Sequence, residues 1–423
     1  MPWILLLFGA ASVLFTVNAW RPFRAHPIIG GVAFFAGWLT SELPFHHIVW
    51  QAMAVAGLVA AGALADPQGW VGLALMLGSW GGLVATHRLA ISTRDAVERG
   101  LDEGLGAATL PEPQAVSWWR VALPLPGVGR RVVRVRNLVY SEGDGARLRL
   151  DVYHRADKPQ GRPVLLQVHG GAWILGRKDD QGLPLMNRMA DEGWVCVSVN
   201  YRLSPRFTFP APVIDLKRAI AWIQENIADY GGDGSRIVIT GGSAGGHLAA
   251  LAALTPSDPE YQPGFEEVDT HVLACVAFYG VYDFTNDGRI WHPFGLPRLL
   301  ERRVLKVRMA DDRGAYERAS PYCRAGAQAP PFLLIHGTAD TLVPLAEARR
   351  FFARLKEVSQ EPVALIEVPG AQHAFEVFPS VRTERATDAA ARFLAWVIAR
   401  GEEAQGSAAA APSLTPPETP AAR

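Results

Sequence analysis

The stretch "ITGGSAGGHLAA", residues 239 to 250, decides how this chain is read. It holds the pattern G-x-S-x-G at Gly241, Ser243 and Gly245. A chain of this length and composition produces that pattern by chance about 0.2 times, so the flanks must decide whether Ser243 is a nucleophile or a small residue in a glycine-rich turn. Before it, "RIVIT" is a short β-branched run of the kind that forms a buried strand, and after it "HLAALAAL" begins a helix. Strand, tight turn and helix together are the setting of a nucleophile elbow. The turn holds Ser243 in a strained backbone, the glycines remove clashing side chains, and the helix N-terminus offers partial positive charge to a developing oxyanion.

Working outward, residues 131 to 400 alternate strand and helix patterns. "VVRVRNLVY" and "RLRLDVYH" alternate with period two around "SEGDGA", which predicts a hairpin. Short apolar runs follow: "PVLLQVH", "WVCVSVNY", "RIVITGG", "VLACVAFYG", "PFLLIHG" and "VALIEVPG". Helical stretches separate most of them, the clearest being "APVIDLKRAIAWIQENIADYG", with Val213, Leu216, Ile220, Ile223 and Ile227 on one face. This predicts an α/β fold: a mostly parallel sheet with helices on both faces, entered through an antiparallel hairpin.

A serine hydroxyl is a poor nucleophile at neutral pH and needs a histidine to take its proton and a carboxylate to hold that histidine. In folds of this type the chain order is Ser, acid, His. "LLIHGTADTLVP" places Asp340 just past a strand's C-terminal end, and "EVPGAQHAFEVF" places His373 in the loop after the last strand. His336 and His247 are rival bases, the first at a strand end where a structural role is expected, the second in the helix behind the serine. "QVHGGAWILG", residues 167 to 176, supplies Gly170 and Gly171, whose amides with that of Ala244 would stabilise the tetrahedral oxyanion.

In this order and spacing "HGGAW", "NYRLSPRFTFPAPVIDLKRAIAWI", "GGSAGG", "HGTAD" and "QHAF" resemble the hormone-sensitive lipase family of α/β-hydrolases, over residues 131 to 400. The resemblance implies a serine carboxylester hydrolase, an esterase or lipase working through an acyl-enzyme on short to medium acyl esters, lipid-derived ones included. It implies the triad Ser243, Asp340 and His373, an oxyanion hole from Gly170, Gly171 and Ala244, and no metal or organic cofactor. It also implies a lid, for which residues 281 to 329, and further residues 100 to 130, are the material. Two departures stand out: Gly242 occupies the place before the serine where the family usually has an acidic residue, and the N-terminal segment is apolar instead of a soluble cap. The second makes the layout resemble membrane-attached esterases of actinobacteria. Two other readings stay open. One is an amide hydrolase of the kynurenine formamidase or prolyl oligopeptidase type, the latter weakened because no propeller-like stretch precedes the domain; the other is a non-catalytic ligand-binding relative.

Residues 1 to 90 hold four apolar runs of roughly 14 to 19 residues, which predict four membrane spans with three as the fallback, the second being short. Arg21 and Arg24 follow the first run and Arg88, Arg94 and Arg99 the last, so with an even number of spans these groups lie on opposite sides; the larger group favours a cytoplasmic hydrolase domain. Residues 91 to 130 read as a linker, with Trp118 and Trp119 suited to a membrane interface or a lid. Residues 401 to 423, rich in Ala and Pro, read as a disordered tail. Lys plus Arg and Asp plus Glu are equal at 41 each, so no overall field recruits nucleic acid. Cys196, Cys275 and Cys323 form neither a zinc pattern nor a disulfide framework. The oligomeric state is not set by the sequence.

Overall fold

A computed structural model describes residues 1 to 410 except 24, 25, 107, 126, 128 and 130, with side chains as far as residue 403. Its N-terminal part is helical: α1 (Pro2–Trp20), α2 (Pro27–Glu42), α3 (Pro44–Ala60), α4 (Pro67–Ile91), α5 (Thr93–Leu105) and the short α6 (Trp118–Ala122). The rest is one eight-stranded sheet with helices on both sides. The strands are β1 (Val132–Gly143), β2 (Ala146–Arg155), β3 (Arg162–Val168), β4 (Val195–Val199), β5 (Gly232–Gly242), β6 (Cys275–Phe278), β7 (Phe332–Gly337) and β8 (Val363–Val368). Their order across the sheet is β1-β2-β4-β3-β5-β6-β7-β8. β1 and β2 form the expected hairpin, β2 is antiparallel to β4, and all pairs from β4 to β8 are parallel.

The helices α7 (Leu183–Asp191), α8 (Ala211–Asn226), α9 (Ala244–Leu254), α13 (Leu345–Val358) and α14 (Val381–Ala410) cover the faces, while α10 (Leu296–Leu299), α11 (Arg313–Arg318) and α12 (Pro321–Arg324) lie in the insertion between β6 and β7. The face of α8 read from the sequence is the buried one. Val213, Leu216, Ile220 and Ile223 are fully inaccessible, each contributing about 1.5–3 kcal/mol of transfer free energy. Cys196 and Cys275 are buried, and Cys323 is exposed.

Three expectations about the chain's ends change. Residues 91 to 130 are not linker throughout, because α5 packs along β8. Gly100 and Gly104 allow this: a Cβ on either would fall within 2.5 Å of Leu365 O or 2.3 Å of Ala364 Cβ. Residues 401 to 410 continue α14, and the remainder of the expected tail lies outside the described residues. The third change concerns the apolar runs. By length and composition α1 and the stretch Pro67–Leu105 are each long enough to cross a membrane, whereas α2 and α3 reach that length only as a pair bent by 90°.

Side-chain pairs fix the directions of these helices. Thr16 bonds Ser79 at 2.8 Å and Trp20 donates to Thr86 at 2.7 Å, so α1 and α4 run parallel. Phe45 packs on His87 at 4.2 Å and Trp80 donates to Gln51 at 3.0 Å, so α3 runs antiparallel to α4. α2 leaves this bundle and lies on the sheet domain. There Trp38 Nε1 donates to Ala374 O at 2.9 Å and Thr341 Oγ1 donates to Gly30 O at 2.9 Å.

Candidate active site

Ser243 sits between β5 and α9 with φ 57° and ψ −122°, a conformation that costs on the order of 1–3 kcal/mol for a residue with a side chain. The surroundings enforce it. Ser243 N–H donates to Phe278 O at 3.0 Å, and a Cβ at position 245 would lie 2.2 Å from Val168 O, so the turn closes only around glycine. At position 242 a Cβ would meet the Tyr279 hydroxyl at 2.7 Å. That ring fills the space into which any side chain preceding the serine would project, which accounts for Gly242.

Asp340 follows β7 and is fully buried. Its Oδ1 accepts from the amides of Leu342 and Val343 at 2.8 Å each, and its Oδ2 accepts from His373 Nδ1 at 2.7 Å. Burial alone would push this carboxyl up, but the imidazoles of His373 and His336 outweigh it and hold the group well below the usual carboxylate range. His373 follows β8 and is nearly buried, with the Tyr279 ring at 4.5 Å and the edge of Phe34 at 6.3 Å. With Nδ1 engaged by Asp340, its Nε2 makes no hydrogen bond among the described residues.

Ser243 and His373 line one cavity of about 910 Å³. No hydrogen bond joins them among the described residues, a looseness common before substrate binds. His247, the rival within α9, is occupied elsewhere: Nδ1 accepts from Trp173 Nε1 at 3.1 Å and Nε2 donates to Ala319 O at 2.7 Å. Burial lowers its pKa to about 4.

The glycine turn after β3 is arranged differently from the expectation. Gly170 packs against the elbow, where a Cβ would lie 3.2 Å from Ser243 Cβ, but its amide donates to Gln181 Oε1 at 2.7 Å. Gly170 is therefore committed within the turn and does not line the cavity, whereas Gly171 and Ala172 do. Gly171 has φ +117°, and a Cβ there would be 2.0 Å from Leu175 O. Among the described residues the amides of Gly171, Ala172 and Ala244 have no acceptor. Sequence reasoning singled out neither Ala172 nor Gln181, because the direction of an amide depends on backbone angles and on a side chain eleven positions downstream.

The cavity walls are mostly apolar. The insertion expected as a lid contributes Val281, Trp291, Leu296 and Leu299, but no described residue of 100 to 130 reaches the cavity. α2 takes that place with Pro27, Phe34, Phe35 and Trp38. The one advance signal was that this apolar run is too short to cross a bilayer. No group of three or more His, Cys, Asp or Glu side chains suited to a metal ion occurs among the described residues.

A strained serine before a helix and an Asp-held imidazole at the C-terminal edge of a wound sheet describe a hydrolase built on the α/β plan. The BD-FAE family model matches residues 150–355. The chain is 41% identical over 410 residues to "Probable carboxylic ester hydrolase LipM" of Mycobacterium tuberculosis, covering 93% of each. It is 47% identical over 279 residues to "Esterase LipQ" of the same organism, covering 65% of this chain and 66% of that one. Among solved structures, propionate-bound esterase Est2 of Thermogutta terrifontis superposes with a TM-score of 0.52 at 28% identity, over 61% of this chain and 93% of that one. The chain belongs to the hormone-sensitive lipase family of α/β-hydrolases and is a carboxylic ester hydrolase.

Proposed function

We propose that Ser243, Asp340 and His373 form the catalytic triad of this esterase. In the first half-reaction Ser243 Oγ attacks the ester carbonyl carbon while His373 Nε2 takes the hydroxyl proton. The oxyanion is held by the amides of Gly171, Ala172 and Ala244, and Gly170 supports the turn through Gln181. Collapse expels the alcohol, which receives the proton from His373. Water then enters by the same route in reverse, frees the acid and restores the serine. The observation that carries this reading is the 2.7 Å bond from His373 Nδ1 to Asp340 in a cavity shared with Ser243, because it leaves the one imidazole nitrogen able to act as a base facing that cavity. The apolar walls suit short to medium acyl groups, lipid-derived ones included.

The membrane reading takes α1 and α4 as spans and adds α3 as a third, its 17 residues lying at the short limit for a bilayer crossing. Arg21, Arg88, Arg94 and Arg99 then share the side on which the hydrolase lies, while the α3–α4 connection on the far side, residues 61 to 66, carries no Lys or Arg. Under the positive-inside rule this favours a cytoplasmic hydrolase domain. Full-length protein should hydrolyse p-nitrophenyl acyl esters and react with a fluorophosphonate probe, and Ser243→Ala should lose the label and at least roughly 10³-fold in kcat. Unchanged turnover in that variant would overturn the assignment.

A further inference from the structure

Resting on the esterase reading above, we infer that the natural substrate is an apolar ester dissolved in the bilayer, and that it reaches Ser243 laterally beneath α2. α2 is the shared wall between the membrane bundle and the catalytic cavity. Its inner side carries Phe34 and Trp38: Phe34 lies edge-on to His373, and the Trp38 indole is bonded to Ala374, the residue that follows it. Its outer side carries Ile28 at 73%, Val32 at 66% and Phe35 at 74% exposure, apolar groups with no covering element among the described residues.

What covers that outer side follows from geometry. α2 meets α3 at 90°, so with α3 along the bilayer normal α2 lies in the membrane plane. It sits at the same end of the bundle as Trp20, and α6 packs at that end too: His46 bonds Ala122 O at 3.0 Å, and Trp118 and Trp119 are exposed beside it. Paired tryptophans mark the headgroup level, and a helix lying there buries its apolar side about 5–10 Å into the acyl boundary. Phe35 belongs both to this outer side and to the cavity lining, and Leu175, 64% exposed, stands at the same mouth. The acyl cavity is thus continuous with the surface that faces lipid, and an ester carried in the bilayer enters without crossing water.

The test uses full-length protein in phosphatidylcholine vesicles, with 4-methylumbelliferyl decanoate in the bilayer and p-nitrophenyl acetate in the water. At fixed total decanoate ester, adding ester-free lipid to the same vesicles should lower the decanoate rate in proportion to its mole fraction and leave the acetate rate unchanged. The double variant I28N/V32N, which alters only the lipid-facing side, should lose roughly tenfold or more in kcat/KM on decanoate while keeping wild-type acetate turnover. A decanoate rate that follows bulk concentration, or a double variant with acetate turnover intact and decanoate turnover unchanged, overturns the inference and leaves the esterase reading standing. Absence of acetate hydrolysis by the wild type overturns both. Should the double variant lose acetate turnover as well, it is misfolded, and the dilution series on the wild type decides.

Discussion

Asp340 Oδ2 lies 2.7 Å from His373 Nδ1, and the same oxygen lies 3.3 Å from His336 Nε2. One carboxylate oxygen thus faces two imidazoles with different freedoms. His336 also gives its Nε2–H to Val343 O at 2.9 Å, and its Nδ1 is buried without a partner among the described residues. With Nε2 engaged by both Asp340 and Val343 O, no polar partner at Nδ1 and no place in the cavity lining, His336 holds Asp340 in place and offers no nitrogen to the serine. His373→Asn should therefore lower kcat by roughly 10³-fold or more, while His336→Asn, which keeps an N–H donor, should stay within about tenfold of wild type. Steady-state kinetics on p-nitrophenyl butyrate compare the two, and equal losses would refute the division of roles.

Gln181 is expected to act at a distance through the turn. Removing its carbonyl leaves the Gly170 amide unpaired in a packed site, a cost of about 1–3 kcal/mol that the turn can escape only by rotating, which would misaim the neighbouring amides. Gln181→Ala should lower kcat roughly tenfold with KM little changed, because the oxyanion forms only after binding. Gln181→Glu, which retains an acceptor, should recover most of that loss. A rise in KM at constant kcat would argue for a substrate-binding role instead.

The union of α2 with the hydrolase rests in part on Glu42 and Arg382. Both side chains are inaccessible, with Glu42 Oε1 3.2 Å from Arg382 Nη1 and Oε2 accepting from Ser380 at 2.8 Å. Glu42→Ala should destabilise the full-length protein by about 3–5 kcal/mol, since it strands a buried guanidinium, whereas the paired change Glu42→Leu with Arg382→Met should recover much of the loss. Thermal unfolding in detergent reads both, and a single variant as stable as wild type would remove this ion pair from the account.

Glu347 gives the pH dependence. Burial pushes its carboxyl up from 4.5 to about 7, against the opposing bonds from the amides of Tyr282 and Asp283 and from the Trp291 indole. A raised folded pKa means that the native state binds more protons than the unfolded chain between about pH 4.5 and 7. The contribution of this group is therefore complete below about pH 4.5 and is lost as pH rises through about 7. Tm of the wild type, measured relative to Glu347→Gln, should fall between pH 5 and pH 8. Since Trp291 lines the cavity and is tied to this carboxylate at 2.7 Å, the shape of the acyl wall should respond over the same range.

What the sequence made legible was whatever is written in short-range pattern. The run from β5 through Ser243 into α9 is a local event, and so are the positions of Asp340 and His373 just past β7 and β8. Features set by tertiary contact were hidden. Gly100 and Gly104 look like punctuation in a linker, yet they are the contact points that let α5 approach β8, a role visible only once the strand is in place. The run "PIIGGVAFFAGWLT" looks like a weak span because hydropathy records how apolar a segment is, not whether lipid or a catalytic cavity lies against it. Gly170 and Gly171 are adjacent and identical in type, yet Gln181 engages one amide and leaves the other without an acceptor among the described residues.

The bond between Trp38 and Ala374 bears on what limited proteolysis would do to the molecule. Where a stalk merely carries a finished domain, cutting it yields a working fragment. Here α2 supplies one wall of the cavity that holds Ser243, so a fragment that has lost α2 loses that wall as well. If that cavity is the seat of turnover, clipping ahead of the sheet should silence the protein.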